Sequence, residues 1–301
     1  MESFTRSSSA GASEPAKEAK KKSEFPPNPE PLAVALYDNH AHLEFEFDDQ
    51  LGVMDWRENL DRSQAVGIAG VVQVGVTLES SKWCAWLATQ DQRVLAAVAL
   101  HPNEAPLYET MDRLDVAIAE IEELAQQPRV RAIGETGLDF FRTEGETALQ
   151  LQQHSFEEHN RIAKQNNLAL MIHDRDAHDQ VVETLLRVGA PEKVVFHCFS
   201  GDVELAKICN QYGWYLSFAG NITIKRNEHL REALRAARRE LILIETDAPF
   251  LAPEPYRGRP NAPYLVPITA RLMATTLGVE VDDLCRQLAA NTETVYGSWG
   301  N

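Results

Sequence analysis

From residue 32 onward the chain alternates between short runs rich in Val, Ile, Leu and Ala and longer segments whose apolar residues recur at helical spacing. Eight short runs read as strands: AVALYD (33–38), GVVQVGV (70–76), VLAAVAL (94–100), VRAIGE (130–135), LALMIH (168–173), KVVFHCF (193–199), WYLSFAG (214–220) and LILIETD (241–247). Their near-continuous hydrophobicity suits strands covered on both faces, as in a parallel sheet, better than the alternation of a half-exposed antiparallel one. Helices are expected between them at 55–66, 79–90, 110–126, 145–166, 175–188, 202–212, 226–239 and 262–277, with a last one near 280–294. Eight β-then-α units in about 270 residues predict an α/β protein built as a single closed (β/α)8 TIM-type barrel. An open doubly wound sheet is the runner-up. It calls for a Gly-rich turn after the first strand, and DNHAHLE is no such turn.

Residues 1–31 stand outside this pattern. They are crowded with Ser, Ala, Lys, Glu and Pro and hold almost no large apolar side chains, so a disordered tail is expected there and a folded unit over 32–301. The KKK run at 20–22 reads as part of a solvated tail rather than a nucleic-acid contact, because glutamates balance it. Over 301 residues, 29 Lys+Arg against 45 Asp+Glu give a formal net charge of −16, and the tail contributes none of it, since its positive and negative residues cancel. Such a charge speaks against coating nucleic acid or anionic lipid over a broad surface, so a polyanionic substrate would have to be gripped locally. No run approaches the roughly 20 apolar residues that cross a bilayer, and the N-terminus lacks the apolar stretch of a secretion signal. A cytoplasmic, monomeric protein without membrane contact is the expectation. Cys84, Cys198, Cys209 and Cys285 form no C-x-x-C pair and read as small buried hydrophobes, with Cys198 pointing away from the strand-end residues beside it.

A barrel carries its chemistry at the C-terminal ends of its strands, and here those ends repeatedly deliver metal-ligand side chains. The first is followed by His40-Ala41-His42, whose two-residue period sends both imidazoles to one face. The fourth ends at Gly134-Glu135-Thr136-Gly137, the fifth at His173, the sixth at His197, and the eighth at Glu245-Thr246-Asp247, where Asp247 is nearer the end and so the better ligand candidate. Each residue alone has an ordinary structural explanation, such as a hydrogen bond to a loop. Four histidines and two carboxylates at the same end of one barrel form a set suited to two closely spaced divalent ions.

Seven segments, DNHAHLE (38–44), ALHP (99–102), IGETGLDFF (133–141), MIHDRDA (171–177), VFHCFSG (195–201), ETDAPFLAPEPYRGRPNAP (245–263) and NTETVYG (291–297), follow one another in an order that resembles the TatD family of metal-dependent hydrolases, within the amidohydrolase-like barrels. The likeness spans residues 36–297. It implies that His40, His42, Glu135, His173, His197 and Asp247 bind the metals, with Glu135 bridging them. Asn39 and Ala41 stand where family members often have Thr and Cys, and ALHP replaces a more usual G-I-H-P, but no ligand position is lost.

The resemblance also implies a deoxyribonuclease, a 3′ exonuclease or single-strand phosphodiesterase, acting on DNA at a strand end or in single strands. Two divalent ions (Mg, Mn or Zn) would activate a shared water, and Asp247 is the candidate general base. Arg257 and Asn261, in a loop similar to the family's H-R-G-x-x-N-x-P, and Arg142, Arg175 and His101, near other strand ends, are candidate substrate contacts. For His101 the competing expectation is a hydrogen bond that orients a ligand. His154, His159, His178 and His229 fall in helices and are expected at the surface, and the acidic run EFEFDD (44–49) is expected to be solvated. Two other functions use or reuse the same residues: carbonyl hydrolysis by the two-metal site, such as deacylation of an aminoacyl-tRNA, and a non-catalytic scaffold, which has no need of all six ligands.

Overall fold

Eight parallel strands hydrogen-bond in sequence order: β1 (Leu36–Ala41), β2 (Ile68–Val74), β3 (Val94–Val98), β4 (Val130–Asp139), β5 (Ala169–Arg175), β6 (Val194–Phe196), β7 (Tyr215–Phe218) and β8 (Ile242–Ile244). This computed structural model describes residues 24–47 and 52–299. Nine α-helices are present among the described residues: α1 (Trp56–Ala65), α2 (Leu78–Gln90), α3 (Met111–Leu124), α4 (Glu146–Asn166), α5 (His178–Val188), α6 (Val203–Tyr212), α7 (Glu228–Ala236), α8 (Val266–Leu277) and α9 (Val281–Tyr296). The architecture is the (β/α)8 barrel read from the hydrophobic pattern. None of these helices is long and apolar enough to cross a membrane.

Helix starts and stops follow local chemistry. Asp55 accepts from the amides of Arg57 and Glu58 ahead of α1, Thr77 and Ser80 form a reciprocal cap on α2, and Asp202 accepts from Glu204 and Leu205 ahead of α6. Gly213 and Gly278 end α6 and α8 in the left-handed region, at φ of 74° and 64°. The strands are buried on both faces, and every residue of β3 is enclosed.

Strand limits moved most where polar residues interrupt the apolar runs. The first strand begins at Leu36 rather than residue 33 and runs through Asp38, Asn39 and His40, all buried. Ile244, at the end of β8, and Thr246, just beyond it, bond to two of them. Asp38 accepts from the Thr246 amide and hydroxyl, and Asn39 Nδ2 donates to the Ile244 carbonyl at 2.7 Å. The same seam closes the barrel: the Asp247 amide donates to His40 O (2.9 Å) and the His42 amide to Ala248 O (2.8 Å), around a parallel bridge between Ala41 and Ala248. β4 continues past Glu135 to Asp139 because Gly137, at φ 141°, lets it approach β5 so closely that any Cβ there would collide with the His173 carbonyl.

Residues 24–31, expected in the disordered tail, are instead held on the barrel. Tyr264 Oη and Arg62 Nη2 each donate to Pro26 O at 2.8 Å, Arg271 donates to Glu30 O and Pro31 O, and Arg259 donates to Glu24 O. The donors all come from the folded body and the acceptors are backbone carbonyls, so the strap needs few apolar side chains of its own. The expectations for residues 1–23, including the KKK run, and for Asp48 and Asp49 lie outside the described residues.

His159 corrects another expectation. Although it lies on a helix, it is fully buried, its Nδ1 donating to Ser155 O (2.7 Å) while its Nε2 accepts from the Leu100 amide (3.2 Å). Burial pushes its pKa down to about 4, against the Ser155 bond that favours the charged form. An unfolded histidine titrates near ~6.5. His159 therefore contributes stability that is complete above about pH 6.5 and is lost as the pH falls towards 4. Urea unfolding of the wild type and His159→Gln at pH 7 and pH 4.5 is expected to show the wild type losing about 2–3 kcal/mol more than the variant across that interval. Equal losses would remove His159 as an acid-sensitive group.

Candidate metal centre

The strand ends converge on a cavity of about 620 Å³ whose walls include His42, Glu135, His173, His197 and Asp247. Glu135 divides it. Its Oε2 faces the first-strand pair, 3.6 Å from His40 Nε2 and 3.9 Å from His42 Nε2. Its Oε1 faces the other side, 2.5 Å from His173 Nδ1 and 2.9 Å from His197 Nε2. Asp247 Oδ1 closes the first group at 3.7 Å from His40 Nε2 and 3.6 Å from His42 Nε2. Three overlapping sets, His40/His197/Asp247, His40/His42/Glu135 and His101/Glu135/His173, each bring three potential ligand atoms within 4.8 Å of one another.

The outer nitrogen of each imidazole decides what its inner nitrogen can do. His42 Nδ1 lies 2.8 Å from the Val74 carbonyl, which only accepts, so that nitrogen carries the proton and Nε2 presents a lone pair. His40 Nδ1 meets Met171 Sδ at 3.0 Å, and the thioether likewise has no proton to give. His197 Nδ1 lies 3.1 Å from Glu245 Oε1, an oxygen that also accepts from the Cys198 amide, and His173 Nε2 lies 3.3 Å from Asp139 Oδ2. Four inner nitrogens therefore converge on two carboxylates, and His40 Nε2 and His42 Nε2 stand only 3.1 Å apart. Neutral imidazoles so arranged cannot hydrogen-bond to each other. The set fits cations, and the buried, unpartnered Glu245 Oε2 adds further negative charge beside it.

The ionisation of the groups points the same way. Burial works against charge on His42 and His197, yet Asp247 raises the first, and Glu135 and Glu245 hold the second well above the ordinary histidine value. Burial also works to raise Glu135, but the charges of His197 and His101 hold its carboxyl well below the usual range. His40, buried and facing His197, is lowered. The pocket thus favours positive charge among its imidazoles, which divalent ions would supply without protonating the ligands.

His101 is built the opposite way. Its Nδ1 accepts from the Asn103 amide at 3.0 Å, so the proton of the neutral ring sits on Nε2, 3.3 Å from Glu135 Oε1. It presents a donor rather than a lone pair to the cavity.

Among the candidate substrate contacts, Arg142 and Arg175 line the cavity, and Arg175 also lies over the Phe141 ring at 4.2 Å. Arg257 is exposed in the loop after β8 and does not line the cavity. Asn261 is buried, its Nδ2 donating to Thr246 O and its Oδ1 accepting from the Ala262 amide, so its carboxamide braces the loop instead of facing a substrate. Cys198 corrects the alternation argument. β6 ends at Phe196, and Cys198 takes φ 42°, which turns it along the cavity wall beside His197. Burial, with the charges of Asp247 and Glu245, pushes its thiol well above the ordinary cysteine value, so it is no thiolate nucleophile. In the acidic run, Glu44 accepts from Gln73 Nε2 at 2.5 Å and Phe45 lines the cavity; neither is simply solvated.

Asp139, Glu245 and Asp38 were not assigned roles from the sequence. Asp139 accepts from the loop amides of Phe141 and Arg142 and lies 3.3 Å from His173 Nε2, and Glu245 holds His197. The two-residue spacing between Glu245 and Asp247 was a usable signal for Glu245. Only the partner strand reveals the others.

Comparison with known proteins finds a family, relatives and a solved structure to which the chain is similar. The family described as "TatD related DNase" matches residues 37–297. A Mycobacterium tuberculosis protein named "Uncharacterized metal-dependent hydrolase TatD" is 39% identical over 269 residues, covering 87% of this chain and 98% of the relative. The Bacillus subtilis protein named "Uncharacterized metal-dependent hydrolase YabD" is 32% identical over 263 residues, covering 87% of this chain and 98% of the relative. The crystal structure of the Escherichia coli TatD homologue YJJV superposes with a TM-score of 0.78 at 26% identity, covering 87% of this chain and 98% of that one.

Proposed function

The chain belongs to the family of TatD-related DNases, and from that premise we propose that it is a metal-dependent phosphodiesterase that hydrolyses DNA at a strand end or in single strands. The observation that carries this reading is the orientation of the imidazoles: His40, His42 and His197 are each tied at their outer nitrogen, and His173 Nε2 lies 3.3 Å from Asp139 Oδ2, so that the inner nitrogens face Glu135 or Asp247. His40, His42 and Asp247 would hold one divalent ion and His173 and His197 the other, with one oxygen of Glu135 given to each. Two such ions would supply Lewis acidity towards the phosphoryl oxygens and towards the attacking water.

The remaining work falls to the chain's own groups. Asp247, beside His40 and His42, accepts the proton of the attacking water. His101 offers its Nε2 proton to Glu135 or to a phosphoryl oxygen, and Arg142 and Arg175 hold the neighbouring phosphate at the rim. Glu245 keeps the ring of His197 from turning, and Asp139 places its negative charge 3.3 Å from the outer nitrogen of His173. A net charge of −16 argues against a broad cationic grip on duplex DNA, so contact with the substrate is local, at the cavity.

End-labelled single-stranded DNA incubated with the purified chain tests the proposal, with and without a chelator. Cleavage that disappears with chelator and returns on adding a divalent ion is expected. Intact DNA in all conditions, with hydrolysis of an aminoacyl-tRNA ester instead, would replace phosphodiesters by carbonyl esters as the substrate.

A further inference from the structure

The mouth of the cavity carries exposed apolar side chains that neither the core nor the metal set requires. Phe250 and Leu251 are 42% and 36% exposed and line the cavity with Phe45. The Phe45 ring lies flat on His42, with centroids 4.6 Å apart and an interplanar angle of 10°, and meets Phe250 edge-on at 6.5 Å. The turn that presents them is tightly defined. Asp247 and Leu251 both occupy the left-handed region, at φ 56° and 55°, where non-glycine residues are uncommon. The Phe250 amide donates to Asp247 O and the Asn261 amide to Pro249 O, both at 2.9 Å. Gly220 lets the Leu251 carbonyl approach so closely that any Cβ there would collide with it. Exposure of this wall is thus built into a held turn.

β8 and β1, which deliver this wall, are neighbours at the barrel's closing seam, whereas β4 and β5, which deliver Arg142 and Arg175, lie across the barrel from them. The cavity therefore has an apolar, partly aromatic side and a side that carries Arg142 and Arg175 beside the carboxylates Glu104 and Asp174, with the metal-ligand set between them. A nucleotide chain has the same division, between flat bases and anionic phosphates.

We infer that Phe45, Phe250 and Leu251 form a nucleobase-stacking subsite for the nucleotide beside the scissile phosphate, while Arg142 and Arg175 take the adjacent phosphate. This inference rests on the phosphodiesterase reading above. It makes the enzyme selective for unpaired bases, because a base inside a duplex has no free face to offer the wall.

The test uses the full chain and end-labelled single-stranded oligonucleotides that carry either a normal base or an abasic tetrahydrofuran residue at each of the two terminal positions in turn. At one of these positions, wild type is expected to lose about tenfold or more in kcat/KM on the abasic substrate. Phe250→Ala is expected to lose a similar factor on the normal substrate and little more on the abasic one. Phe250→Trp should restore the preference, and the metal content of all three proteins should be equal. Losses that simply multiply, or no abasic penalty at either position in an active wild type, overturn the stacking subsite and leave the phosphodiesterase reading standing. Failure of wild type to cut any of these oligonucleotides overturns both.

Discussion

Replacing Glu135 with Gln is expected to lower kcat/KM on single-stranded DNA by at least about 10³-fold, equivalent to roughly 4 kcal/mol of transition-state stabilisation. The carboxylate faces both histidine sets, Oε2 towards His40 and His42 and Oε1 towards His173 and His197. A carboxamide of the same shape has one acceptor oxygen, and its NH2 cannot bind a cation, so at most one of the two sets keeps its shared ligand. Metal analysis should accordingly show fewer equivalents bound to the variant than to wild type, with an unchanged circular dichroism spectrum. A Glu135→Gln protein that retains its full metal content and more than a tenth of the activity would remove the bridging role.

Asp247→Asn is expected to separate the work of the carboxylate, as metal ligand and proton acceptor, from architecture. Asp247 holds φ 56°, a conformation that Asn tolerates as readily as Asp, and its amide closes the barrel on His40 O whichever side chain is present. The fold and the β1–β8 seam should therefore survive. The basic oxygen would be lost, and with it a factor of about 10²–10⁴ in kcat. Burial works to raise the Asp247 carboxyl, but the neighbouring His42, His197 and His40 imidazoles hold it below the ordinary aspartate value, so the wild-type group is ionised at neutral pH. Thermal unfolding within a few degrees of wild type, together with that loss of kcat, is the expected pair of results. A decrease smaller than tenfold would transfer the proton-accepting role to another group.

Both predictions concern residues visible in the sequence because they sit where an apolar run stops. A (β/α)8 barrel leaves a regular record, since each strand must be apolar on both faces and each helix on one, and that record located all eight strands to within a few residues. The largest shifts, at β1 and β4, occurred where Asp38, Asn39 and His40, or Gly134 and Gly137, looked like the end of a strand. Polar residues can continue a strand when a neighbouring segment bonds to them, and Thr246 and Ile244, some 200 positions away, bond to Asp38 and Asn39 here.

Single residues were less legible than strands for the same reason. His159 and His101 are both histidines near apolar segments; one is sealed under Leu100 as a neutral core residue and the other faces Glu135. Asn261 stands in a loop that resembles a substrate-binding one, yet both ends of its carboxamide are used by Thr246 and Ala262. Cys198 should have pointed away from His197 by strand alternation, but alternation holds only while the strand lasts, and β6 stops two residues earlier.

By itself, the sequence determined the barrel and the chemical identity of the residues at its strand ends, because burial periodicity and side-chain type are local properties of the chain. Only the tertiary structure decided which nitrogen of each imidazole faces the cavity, that Glu135 divides the site, and that Glu245 and Asp139 face the outer nitrogens of ligands rather than competing with them. Those properties depend on hydrogen-bond partners contributed by other strands, and a lone pair is aimed only when its far side has been tied down.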